Sequence, residues 1–286
     1  MDASVQPSES TTTSPTIVLV HGAFADASSW NGVVERLQRE GCTVVAPPNP
    51  LRGIAADAAY LAGVLRQIDG PVLLVGHSYG GASITNAATT AANVLGLVYV
   101  SGFAPDEGEQ LIEVENGSTD SVLNTALMQL QYPDGQGAEP AVEFAIDPAL
   151  FRETFAADLP PEQTAVMAAT QRPVAAAAFT EPSGPPAWKN LPCWAVVATG
   201  DKAAGSDVVH SMAQRAGAEI VELEGSHVIM ISQPDAVTDV ILTALRRLGR
   251  PRAASAVPGP RTATDEDRRP GAVGTGAGTG GDGPRA

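Results

Sequence analysis

Three residues far apart in the chain have the types needed for one reaction: Ser78, Asp201 and His227. Ser78 is the centre of Gly76-His77-Ser78-Tyr79-Gly80-Gly81, a Gly-x-Ser-x-Gly pattern. A serine hydroxyl is a weak nucleophile at neutral pH. It attacks a carbonyl only when a base takes its proton and an acid orients that base. Four histidines are available: His21, His77, His210 and His227. His227, in Glu224-Gly225-Ser226-His227-Val228, directly follows an apolar run and is the candidate base. His210 falls in mid-helix and is expected at the surface. His77 adjoins the serine in a turn that points neighbouring side chains apart, so it is expected to be packed or solvated. His21 is expected to hold its own loop. Asp201 follows the run Trp194–Thr199 and is the candidate acid. Asp207 stands where a helix cap is expected, and capping accounts for it. Acyl transfer also needs donors for the developing oxyanion. The backbone N–H groups of Ala23 and Tyr79 are the candidates, the second at a helix N-terminus.

These residues need a scaffold that brings loop ends together. Val72-Leu73-Leu74-Val75 reads as a buried strand, and an alanine-rich helical pattern follows the glycines. Gly76 and Gly80 lack the Cβ atoms that would clash in so tight a strand-to-helix turn. Thr16–Val20 predicts another buried strand. A helix to about Glu40 follows, with Trp30, Val33, Val34 and Leu37 at i, i+3, i+4 and i+7, and Gly41 as its stop. Thr43–Ala46 is a predicted strand, Ile54–Ile68 a helix and Val94–Ser101 a strand. After a long interruption the alternation resumes with Cys193–Thr199, Asp207–Ala216, Glu219–Leu223 and Pro234–Leu248. Alternating strands and helices predict an α/β fold, a mainly parallel sheet with helices on both faces. Between Gly102 and about Leu191 no strand is evident. Ser121–Gln131, Ala141–Ala156 and Pro161–Thr170 look helical, which predicts a helical cap over about residues 103–191. Phe103, Met128, Tyr132, Phe144, Phe151, Phe155, Phe179 and Trp188 are its large apolar residues, available for packing or for lining a pocket.

The 286 residues suffice for one large domain, with 44% hydrophobic content. Residues 1–15, polar and rich in Ser and Thr, are expected to be a disordered leader. The Pro-, Gly- and Arg-rich residues 250–286 are expected to be a disordered tail, leaving 16–249 as the folded domain. No apolar run is long enough for a membrane span, and no signal peptide is evident. The formal net charge is −15. Thirteen acidic residues and one basic residue, Arg152, lie between Phe103 and Thr164. Such a surface repels phosphate backbones, excluding nucleic-acid binding and favouring neutral over anionic substrates. Cys42 and Cys193 are expected to be free thiols, which fits a cytoplasmic setting. No metal-ligand spacing and no phosphate-binding loop is present, so no metal and no cofactor is expected. The expected partner is a small-molecule substrate. No pattern indicates an oligomeric state.

Taken together, Val20-His21-Gly22-Ala23-Phe24, the Gly76–Gly81 elbow, Gly200-Asp201 and Ser226-His227 resemble the α/β-hydrolase superfamily over about Thr16 to Leu248. The short loops resemble its plant esterase and hydroxynitrile lyase branch and related bacterial hydrolases. The lyases of that branch carry threonine where this chain has Gly22, and lysine where it has Val228. That departure weighs against cyanohydrin cleavage and favours ester hydrolysis. Dehalogenases and epoxide hydrolases of this fold use aspartate as nucleophile, and Ser78 argues against both. The resemblance implies a serine hydrolase acting through an acyl-enzyme on a small, neutral carboxylic ester, thioester or lactone. The alternatives are lyase, cyclase or cofactor-free peroxidase chemistry on the same fold, or a non-catalytic ligand receptor.

Overall fold

The long apolar runs become strands at the centre of the molecule. The computed structural model describes residues 14–133 and 139–249. Its strands are β1 (Thr16–Val20), β2 (Val44–Val45), β3 (Val72–His77), β4 (Val94–Val100), β5 (Leu127–Tyr132), β6 (Ala141–Ile146), β7 (Val174–Ala175), β8 (Cys193–Ala198) and β9 (Glu219–Leu223). Six of them form one sheet in the order β2-β1-β3-β4-β8-β9, with every pairing parallel. Every residue of β1, β3 and β8 is buried. Burial on both faces explains why these strands read as continuous rather than alternating apolar runs.

The helices are α1 (Asn31–Arg39), α2 (Ile54–Leu65), α3 (Tyr79–Ala87), α4 (Leu111–Asn116), α5 (Leu123–Ala126), α6 (Phe151–Phe155), α7 (Pro161–Thr170), α8 (Ala177–Thr180), α9 (Ser206–Arg215), α10 (Ile229–Ser232) and α11 (Pro234–Leu248). α1 buries Val33 and Leu37 and packs beside α11, with Arg36 paired to Asp235 across the contact. Gly41 ends the α1 turn at φ 77°, a conformation that costs a side-chain-bearing residue more than glycine. No described helix is long and apolar enough to cross a membrane. Among the described residues both cysteines are unpaired. Burial pushes the Cys193 thiol up to about 12.

The insertion between β4 and β8 departs from expectation. It holds a second, three-stranded antiparallel sheet in the order β5-β6-β7. The expected helix Ser121–Gln131 is the four-residue α5 followed by β5, and the expected helix Ala141–Ala156 is β6 followed by α6. Leu127 pairs with Ile146 and Phe144 with Val174. This long-range pairing satisfies the backbone that a helix would have satisfied locally. Only Pro161–Thr170 keeps the helix read from sequence, as α7. The expected disordered tail lies outside the described residues, as do residues 1–13 of the expected leader.

Candidate active site

Ser78 sits between the last residue of β3 and the first of α3, with φ 53° and ψ −126°. A left-handed φ on a serine is unusual and costs of order 1–3 kcal/mol, so the surroundings must hold it. They hold both backbone groups. The Ser78 N–H donates to the Val100 carbonyl at 3.3 Å, and its own carbonyl accepts from Gly81 at 2.8 Å and Phe103 at 3.1 Å. The glycines are required by close approach. A Cβ on Gly76 would lie 2.5 Å from the Gly80 carbonyl oxygen. A Cβ on Gly22 would lie 2.6 Å from the Ser78 Cβ, so the loop after β1 touches the serine only because residue 22 has no side chain.

His227 follows β9 and Asp201 follows β8, so both stand at the sheet edge that carries Ser78. The His227 Nδ1–H donates to Asp201 Oδ2 at 2.7 Å, and both side chains are buried. Asp201 Oδ1 accepts from the N–H groups of Ala203 at 2.9 Å and Ala204 at 3.0 Å. Three donors thus hold the carboxylate in one orientation. Ser78 and His227 line one small chamber with Ala23, Tyr79, Phe155 and Phe179. Its volume is about 10 Å³, space for about one water. Among the described residues the Ser78 hydroxyl makes no hydrogen bond, and the N–H groups of Ala23 and Tyr79 are likewise free of protein acceptors. The arrangement thus joins a strained serine, an oriented imidazole and two open backbone donors in one water-sized space.

The remaining histidines and Asp207 sort by contact. His21 donates from Nδ1 to the Gly22 carbonyl at 2.9 Å and accepts the Asn49 N–H on Nε2 at 2.9 Å, which holds its loop. Burial pushes its pKa down, so it stays neutral. His210 is on α9, half-buried, beside Glu222. Asp207 is not the cap of α9. Gly205 precedes that helix, and the Asp207 carboxylate instead accepts from Ser118 Oγ at 2.6 Å and the Thr119 N–H at 2.8 Å.

Two supports were not apparent from the sequence. His77 is fully buried, and its Nε2–H donates to the His227 carbonyl at 3.0 Å with the ring centroids 4.6 Å apart. Burial, and then the neighbouring His227, push the His77 pKa well below the usual imidazole range. It therefore acts as a neutral wedge under His227. The Tyr79 phenol donates to Asp57 Oδ2 at 2.7 Å, pinning α3 to α2. Burial, then Asp57, raise the phenol well above its ordinary range. A charged or aromatic residue beside a predicted nucleophile is the available sequence signal, but the partners, 150 and 22 residues away, are set by the fold.

A parallel sheet that ends its third strand on a strained serine, with an aspartate–histidine pair after two later strands, defines an α/β-hydrolase architecture. The chain belongs to the alpha/beta hydrolase family, whose model matches residues 17–240. It is 32% identical over 108 residues to the carbendazim hydrolyzing esterase of Nocardioides sp. (strain SG-4G). That match covers 33% of this chain and 45% of that relative, so it spans under half of the relative's length. Among solved structures, polyneuridine aldehyde esterase superposes with a TM-score of 0.67 at 22% identity, covering 81% of this chain and 99% of that one. Methylketone synthase I from tomato, in complex with 2-tridecanone, superposes with a TM-score of 0.66 at 22% identity, covering 82% and 99%. Identities this low establish a shared fold.

Proposed function

We propose that the protein is a serine hydrolase cleaving small, neutral carboxylic esters, thioesters or lactones through an acyl-enzyme on Ser78. The reading is carried by one arrangement: His227, paired with Asp201 at 2.7 Å, lines the same chamber as Ser78. In this mechanism a substrate carbonyl enters the chamber and Ser78 Oγ attacks it. His227 Nε2 takes the hydroxyl proton and returns it to the leaving alcohol, thiol or ring oxygen, while Asp201 stabilises the imidazolium. The Ser78 side chain turns toward Nε2 as substrate binds, since such contacts tighten in the Michaelis complex. The N–H groups of Ala23 and Tyr79 receive the oxyanion. Water then repeats the sequence and releases the acid.

Gly22 supports hydrolysis over cyanohydrin cleavage, because the loop packs onto Ser78 with no room for a β-branched side chain. The names of the similar proteins, an esterase acting on carbendazim and an esterase acting on polyneuridine aldehyde, support the same class. The acidic run between Phe103 and Thr164 supports neutral substrates. Two unpaired thiols support a reducing compartment such as the cytoplasm. The test is product analysis with a panel of neutral esters from acetate to octanoate. Equimolar acid and alcohol from the wild type, and none from Ser78→Ala, are expected. Turnover of cyanohydrins or peroxide without ester hydrolysis would assign the site to the alternative chemistry.

A further inference from the structure

The reaction chamber, at about 10 Å³, is too small for any ester. A substrate must therefore extend into neighbouring space. Phe179 on α8 separates the chamber from a second cavity of about 270 Å³ inside the insertion. α5 completes the partition: Leu123 faces the chamber, and Asn124 faces the cavity with Leu127, the residue after that helix. The cavity is mostly apolar, lined by Ile112, Leu127, Phe144 and Phe179, with one buried acidic residue, Glu115 at 3% exposure. On the other side of the chamber Phe24 borders an open groove of about 510 Å³ whose rim includes the exposed Val166. That groove contains no comparable buried polar group.

Glu115 is built in an unusual way. Oε1 lies 3.2 Å from Ser121 Oγ. Ser121 Oγ also lies 2.7 Å from the Ala203 carbonyl, so its single proton serves two acceptors. Among the described residues Ser121 is thus the one side chain that donates to Glu115, on Oε1. Burial, opposed in part by the Ser121 hydroxyl and reinforced by Asp201, pushes Glu115 up to about 7. Among the described residues nothing donates to Oε2, which leaves it an open acceptor on a residue that lines the cavity.

We infer that this cavity is the subsite for the part of the substrate remote from the reacting carbonyl, and that Glu115 Oε2 there accepts a hydrogen bond from a hydroxyl or N–H on that part. The inference rests on the ester-hydrolase reading and narrows its substrate class to neutral, largely apolar esters bearing one distal donor. Phe179 is the side chain such a substrate passes.

The test uses the full chain and two ester pairs: ethyl hexanoate with ethyl 6-hydroxyhexanoate, and hexyl acetate with 6-hydroxyhexyl acetate. The readout is the ratio of kcat/KM for the hydroxylated ester over its plain partner. The wild type is expected to favour the hydroxylated ester in at least one pair. Glu115→Leu is expected to cut that ratio about tenfold, since a site built for a hydrogen bond discriminates strongly by it. Glu115→Gln, whose amide can donate to Ser121 and accept from the substrate, is expected to keep the ratio. A wild type without preference, a ratio unchanged in Glu115→Leu, or a ratio lost in Glu115→Gln overturns the inference. Phe179→Trp provides a second route that spares Glu115. It is expected to lower kcat/KM for hexanoate relative to acetate about tenfold, and an unchanged chain-length profile overturns the subsite. Failure of the wild type to hydrolyse any of the four esters, with no Ser78-dependent turnover, counts against the hydrolase reading itself.

Discussion

The sheet end that carries Ser78 and the insertion above it are held together by different means. At the sheet end, parallel strands fix each candidate catalytic residue within a few residues of its own apolar run: Ser78 after β3, Asp201 after β8, His227 after β9. In the insertion, contacts between distant segments decide. Ser118 and Thr119 bind Asp207, Val122 donates to the Lys202 carbonyl at 2.8 Å, and Arg52 reaches Glu143 at 2.7 Å and stacks over Tyr132. The same segment that begins the insertion is thereby laced to the loop of the candidate acid, Asp201. The contrast separates two tasks. On the proposed reading, the parallel strands position the chemistry and the smaller antiparallel sheet selects what reaches it.

The largest effects should fall on the sheet side. His227→Ala and Ser78→Ala are each expected to lower kcat for ester hydrolysis roughly 10⁴–10⁶-fold, and Asp201→Asn about 10⁴-fold, in steady-state assays of folded protein. Comparable losses from substitutions confined to β5 or β6 would erase the division of labour. Gly22→Ala comes next. Its new Cβ displaces either the loop or Ser78, and a misplacement of this kind is expected to lower kcat/KM on the order of 10²-fold. Wild-type kinetics from this variant would mean that the loop does not set the nucleophile's position.

The insertion should respond in stability and selectivity more than in chemistry. Glu115 sits at about 7 in the folded protein against an ordinary 4.5. Between those values the folded state keeps a proton that the unfolded chain has released, so stability falls as pH rises from about 4.5 to about 7. The loss amounts to about 3 kcal/mol, at about 1.4 kcal/mol per pH unit. Denaturant titrations at several pH values should show this decline in the wild type relative to Glu115→Gln; parallel curves would mean that Glu115 is not held protonated. The smallest effect is expected from Arg52→Ala. Its partner Glu143 is largely buried, but Arg52 is 41% exposed, so the pair should contribute about 0–1 kcal/mol. A larger drop in thermal stability would show that the insertion is fastened mainly at this point.

The same contrast explains what could be read from the chain. The elbow is legible because strand, glycines and serine are contiguous, and the strand-end placement of Asp201 and His227 because each closely follows an apolar run. β5 was not readable. Leu127, Met128 and Leu130 fit one face of a short helix as well as a half-exposed strand, and the residue that decides, Ile146, comes 19 positions after Leu127. Glu115 was hidden for a related reason. Within thirteen acidic residues it looks like part of a solvated face, and its burial depends on the placement of α4 against the Asp201 loop. His77 looked incidental because its contact, the His227 carbonyl, is formed only by the fold.

The central claim is that Ser78 is a nucleophile activated by His227. It is tested most directly by brief exposure of the native protein to a fluorophosphonate, followed by peptide mapping of the adduct. The account predicts one adduct, on Ser78, formed rapidly in the wild type and at least about 10³-fold more slowly in His227→Ala. An unlabelled Ser78, or labelling at equal rates with and without His227, would contradict it.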